Sequence, residues 1–154
     1  MYSKLLAVHS LLRWLVLVSL LYSIYRAYKG WFTSKSFSTF DNSVRHITAT
    51  IAHIQLIAGL LLYFISPVIK YFLNNFKDAV HERPILFFGM EHSTMMLAAI
   101  IIITIGSASA KRKNTGKEEF KTIAIWFSIG LLVILISIPW PFSPLVSRPY
   151  FRAF

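Results

Sequence analysis

The chain has 154 residues, of which 56% are hydrophobic and only 14% charged, with a formal net charge of +10. So little polar surface excludes a water-soluble globule. The absence of cysteine excludes disulfides, iron–sulfur clusters, thiolate metal sites and covalent c-type haem attachment, and leaves histidine as the strongest available ligand.

Leu, Ile, Val and Phe cluster in four blocks, 5–25, 47–65, 85–105 and 122–138. Each is about long enough to cross a hydrocarbon core of roughly 30 Å at about 1.5 Å per residue. Runs such as LAAIIIITI do not alternate, which rules out a β-barrel. The first block is too long for a signal-peptide core and lacks a small-residue cleavage pattern before Arg26, so it reads as a retained span. The connection AYKGWFTSKSFSTFDNSVRH is mixed polar and aromatic, and Asn42–Ser43 offers a cap before the second span. Pro67 closes that span. In VIKYFLNNFKDAV, Ile69, Phe72, Leu73, Phe76 and Val80 recur at helical spacing opposite Lys70, Asn74, Lys77 and Asp78, which predicts a short interfacial helix between spans two and three. GSASAKRKNTGKEEF reads as a solvated connector, and the prolines of IPWPFSP stop the fourth helix with Trp140 at interfacial depth. The tail RPYFRAF is expected on the outer face. The fold class is all-α, a single transmembrane domain over 1–154 arranged as an up-down-up-down four-helix bundle with spans one and three diagonal across the core.

Nine basic residues fall between spans one and two (Arg26, Lys29, Lys35, Arg45) or three and four (Lys111, Arg112, Lys113, Lys117, Lys121). The opposite side carries Lys4, Lys70, Lys77, Arg83, Arg148 and Arg152. The positive-inside rule then puts both termini on the periplasmic or outer side of a bacterial inner (plasma) membrane. The basic balance is accounted for by the lipid bilayer, with no nucleic acid partner.

Inside the blocks the only formal charges are Arg13 and Glu91, accompanied by His9, His53 and His92, with His46 at the cytoplasmic edge. Each costs on the order of 2–3 kcal/mol or more facing lipid, so all are expected to face the bundle interior. At about 1.5 Å per residue from the outer end of each span, His9 lies about 6 Å deep, Glu91 and His92 about 10 Å, Arg13 about 12 Å and His53 about 18 Å. His9 and His92 thus face each other from diagonal helices at similar depth, as the axial ligands of a b-type haem must, with Gly89 leaving room for the macrocycle and Arg13 near a propionate. Trp14, Phe87, Phe88, Trp126 and Phe127 are aromatics available to pack on it. Several alternatives stand beside this. Arg13 and Glu91 equally form a buried salt bridge that sets bundle register. His53 is an alternate ligand or part of a proton path. His9, His53, Glu91 and His92 together suit non-haem iron, manganese or zinc, although His53 lies deeper. Met95 or Met96 is a possible soft ligand, but methionine in an apolar span is usually packing. A quinone or proton site built on Glu91, Arg13 and the histidines is a further alternative.

The motifs HSLLRW (9–14), HIQLIAGLLLYFISP (53–67), EHSTMM (91–96) with TIGSASAKR (104–112), and IPWP (138–141) resemble, nearly end to end, a bacterial family of small four-span membrane proteins commonly labelled cytochrome b-like. They are not the motifs of the large respiratory cytochrome b. The resemblance implies that His9, Arg13, His53, Gln55, Glu91 and His92 are the family's characteristic polar positions. The expectation is a haem b protein for electron transfer, or for support of a respiratory or haem-handling complex. The alternatives are a cofactor-free subunit of a larger membrane complex and a metal- or quinone-linked membrane protein.

Overall fold

The helices extend past the apolar blocks, because polar caps and prolines set their ends. The computed structural model describes residues 1–151, all helix and connection with no strand among them. Four helical segments are long and apolar enough to cross a membrane: Tyr2–Phe32, Thr39–Ile65, Arg83–Ala110 and Gly116–Ser137.

Helix α1 (Tyr2–Phe32) and helix α2 (Thr39–Ile65) are joined by residues 33–38 alone. The cap of α2 is Ser38 rather than Asn42–Ser43. The Ser38 hydroxyl accepts from the Asp41 backbone N–H at 3.2 Å, and the Asp41 carboxylate accepts from the Ser38 N–H at 3.1 Å. This reciprocal box satisfies two donors that a helix start leaves orphaned, so the helix begins about two turns before the apolar block does. Ser43 lies inside the helix, donating to the Thr39 carbonyl. Arg45, expected among the loop charges, is buried within α2.

Pro67 does end α2, and it starts helix α3 (Pro67–Asn74) at the position where its missing N–H costs nothing. The apolar stripe expected to run to Val80 breaks at Asn75 before a single turn, α4 (Phe76–Ala79). Ile69 and Phe72 are buried, whereas Leu73 and Phe76 are exposed. The third span consists of α5 (Arg83–Leu86), a π-helical turn over Phe87–Glu91, and α6 (His92–Ala110). Its Gly89 is pressed against the Phe72 ring, and the Gly89 carbonyl accepts from the Tyr63 hydroxyl at 3.1 Å. The glycine therefore seats α3 and does not open space for a ligand. Helix α7 (Gly116–Ser137) completes the bundle, its Thr115 cap accepting from Glu118.

The long helices pack as a ring, α1 on α2, α2 on α6, α6 on α7 and α7 on α1, which sets α1 across from α6. Leu20, Ile103, Phe120 and Phe127 fill the centre. Close approach of α6 and α7 depends on small residues: a Cβ at Gly130 would lie 2.6 Å from Ile103 Cγ1, and one at Gly106 would overlap Trp126. Beyond α7, residues 138–151 return across the end of α1 with Ile138 and Val146 buried. Residues 152–154, including Arg152 and the end of the tail placed on the outer face, lie outside the described residues.

Candidate functional site

The end of α7 creates the first half of the site. In a continuing helix the carbonyls of Leu135 and Ser137 would accept from the N–H groups of residues 139 and 141, but both are proline. Side chains take their place. The Trp140 indole N–H donates to the Leu135 carbonyl at 2.9 Å, and His92 Nδ1 donates to the Ser137 carbonyl at 2.8 Å. A carbonyl only accepts, so Nδ1 carries a proton, and in the neutral form of the ring the lone pair is on Nε2. This is the arrangement by which proteins orient a metal-ligating imidazole. His92 comes directly after the π turn, and an inserted residue of that kind rotates the remainder of the span by about one residue relative to an unbroken helix. Phe87 lies beside its ring, 5.6 Å between centroids.

The second half comes from α1 and α2. Gln55 Nε2 donates to the His9 carbonyl at 3.0 Å and lies 3.4 Å from His9 Nε2. One turn on, Gly59 presents bare backbone to the ring: a Cβ there would sit 3.2 Å from His9 Cε1. His9 Nδ1 and Gln55 Oε1 are buried with no hydrogen-bond partner. In a protein interior most such atoms are paired, and an exception calls for an explanation such as a ligand.

His9, Arg13, Gln55, Gly59 and His92 line one cavity of about 310 Å³. The remaining wall is mainly apolar, with Phe88, Met96 and Ile134 among its residues. No aspartate or glutamate lines it among the described residues. The volume falls at the lower end of the roughly 300–1,000 Å³ typical of small-molecule sites. Segment 138–151 contributes Ile138, Pro139, Arg148 and Pro149 to its wall and is tied to α1: Arg13 and the Trp14 indole N–H both donate to the Tyr150 carbonyl, at 2.6 and 3.3 Å, and Trp14 stacks on Phe151. Toward haem b the lining offers the His92 Nε2 lone pair, a second imidazole whose Nδ1 has no partner, apolar walls and guanidinium groups.

Other expected participants are elsewhere. His53 is exposed on the outside of the bundle, where Nε2 donates to Thr104 Oγ1 at 2.9 Å while that hydroxyl donates to the Ile100 carbonyl. It is absent from the cavity lining, which separates it from the His9 and His92 pair. Glu91 does not bridge to Arg13; it accepts from Arg83 at 2.7 Å, with both side chains more than a third exposed. The register-setting pair inferred from charge and depth is therefore replaced by one within a single span. No group of three or more His, Asp or Glu is gathered for a metal among the described residues, so the four-residue non-haem set is not assembled. Of the aromatics proposed to face a macrocycle, only Phe88 lines the cavity; Phe127 is in the core and Trp126 packs on Gly106. Met96 lines the cavity, and Met95 is exposed.

Two residues of the site escaped sequence reasoning. The Ser137 carbonyl was foreshadowed by proline at 139 and 141, a signal that names orphaned acceptors. Arg148, which also lines the cavity, had no sequence signal, because the fold-back of a short loop segment is not periodic. Comparisons with protein-family models, with curated proteins and with solved structures found no match.

Proposed function

We propose that this chain is a haem b-binding protein of a bacterial inner membrane, in which His9 and His92 would hold the haem, with a role in electron transfer or in support of a respiratory or haem-handling complex. The observation that carries the proposal is the pair of imidazoles facing one largely apolar cavity, one of them already held by a backbone carbonyl in the ligating tautomer. Haem b, when bound, supplies a one-electron iron couple. The Ser137 carbonyl fixes the His92 ring and makes its Nε2 a better donor. Gln55 and Gly59 hold His9 from the neighbouring helix, one through a hydrogen bond and the other by leaving space. The largely apolar walls would lower the polarity around a bound haem, one of the means by which a protein tunes its potential. In the membrane the bundle runs up-down-up-down with both termini outside, α3 lies at the outer interface, and the cavity opens toward that side.

The test is an optical spectrum of the detergent-purified protein from haem-replete cells, oxidised and then dithionite-reduced. A Soret band with sharp reduced α and β bands is expected for the wild type, and its loss for His92→Ala with the variant still inserted and helical. A full Soret band in that variant overturns the ligand assignment. A quinol is the second reading, favoured by Gln55 Oε1, a buried acceptor with no donor; a colourless protein whose tryptophan fluorescence responds to added quinol would replace the first reading with it.

A further inference from the structure

Arg148 belongs to the segment that folds back over the cavity, and it contributes to the lining. Its guanidinium lies 5.1 Å from the Phe88 ring centroid, and its Nε is buried without a hydrogen-bond partner. A guanidinium is always charged and presents a fork of donors matched to a carboxylate. No acidic side chain lines the cavity among the described residues, and the acid nearest in sequence to His92, Glu91, is held by Arg83. A second guanidinium, that of Arg13, lines the same cavity. Arg13 and Trp14 also hold Tyr150, two residues after Arg148, so α1 fixes the position of the segment that carries the cation. An apolar chamber lined by two imidazoles thus has guanidinium groups in its wall and, among the described residues, no aspartate or glutamate.

We propose that the part of the cavity wall around Arg148 is a carboxylate-binding subsite in which Arg148 is the principal recognition residue, so that the cavity selects an apolar molecule carrying an acid group at one edge. The inference rests on the haem reading only for the identity of the apolar body. Haem propionates and the head group of a fatty acid present the same chemistry, and the two are told apart by experiment.

Two probe pairs are titrated into the purified protein in neutral detergent: haem b against its dimethyl ester, followed by the Soret band, and palmitate against methyl palmitate, followed by tryptophan fluorescence, to which Trp14 and Trp140 beside Tyr150 contribute. The wild type should bind the acid about tenfold more tightly than the ester, as one charge-assisted hydrogen-bonded contact requires. Arg148→Gln should erase that preference, and Arg148→Lys should retain part of it. The wild-type comparison of acid with ester needs no variant, so it decides the matter even if Arg148→Gln misfolds. Equal binding of haem and its ester would leave the haem reading standing and overturn the carboxylate subsite. No Soret response, together with an Arg148-dependent preference for palmitate, would overturn the haem reading and assign the subsite to a fatty acid. No response to any probe would overturn both.

Discussion

At the end of the bundle where α1 turns into α2, polar side chains are tied to one another. Asp41 accepts from Arg26 and closes the Ser38 cap, while Arg45, only 6% exposed, donates to the Ser107 carbonyl and hydroxyl and to Asn42. Among the described residues, Arg45 Nε is the one buried side-chain atom at that end without a partner. The void beside Arg26 and Asp41 is about 10 Å³, at the limit for a single water. At the other end His9, Gln55 and Arg148 each keep a buried polar atom unpaired around a chamber of about 310 Å³. The same residue types, at comparable cost of burial, thus do different work. Paired and packed, they tie the helices together; arranged around space with atoms to spare, they are open to a ligand, as the proposed function requires.

The contrast is broken most severely by changes at the closed end. Asp41→Ala removes the partner of Arg26 and half of the capping box, and is expected to cost about 2–3 kcal/mol in a thermal or denaturant melt in detergent. Gly30→Ala places a methyl group into the buried Phe120 ring and should cost about 1–3 kcal/mol by the same measurement. Gly59→Ala at the open end meets only the edge of the His9 ring at 3.2 Å. It should cost less than about 1 kcal/mol, with a change in ligand affinity or Soret position larger than its effect on stability. The smallest effect is expected for Glu91. A double-mutant cycle with Arg83 should show at most weak coupling, given the exposure of both side chains, and a cycle with Arg13 should show none.

The count of spans and the class of fold were legible because hydropathy over some twenty residues is a summed property. His9 and His92 come to line one cavity, as their placement on diagonal helices suggested, whereas the same cost of burial did not bring His53 in. Helix ends were less legible: Ser38 and Asp41 override the polar composition of the connection by satisfying backbone donors, an effect that hydropathy does not count. Depth along a span suggested Glu91 as the partner of Arg13, yet depth does not give direction around the helix axis, and the π turn before His92 alters that direction. His53 shows the same limit. Its place along the span follows from the sequence, but Thr104 on α6 offers it an acceptor outside the bundle, and that pairing is a tertiary contact.

The most direct test is haem per folded chain, by pyridine haemochrome, for wild type, His92→Ala and Asp41→Ala purified from haem-replete cells. If the two ends divide as described, the wild type carries haem, His92→Ala carries none, and Asp41→Ala keeps the wild-type ratio in whatever fraction remains folded. A colourless wild type, or a His92→Ala variant that retains its haem, would contradict the account.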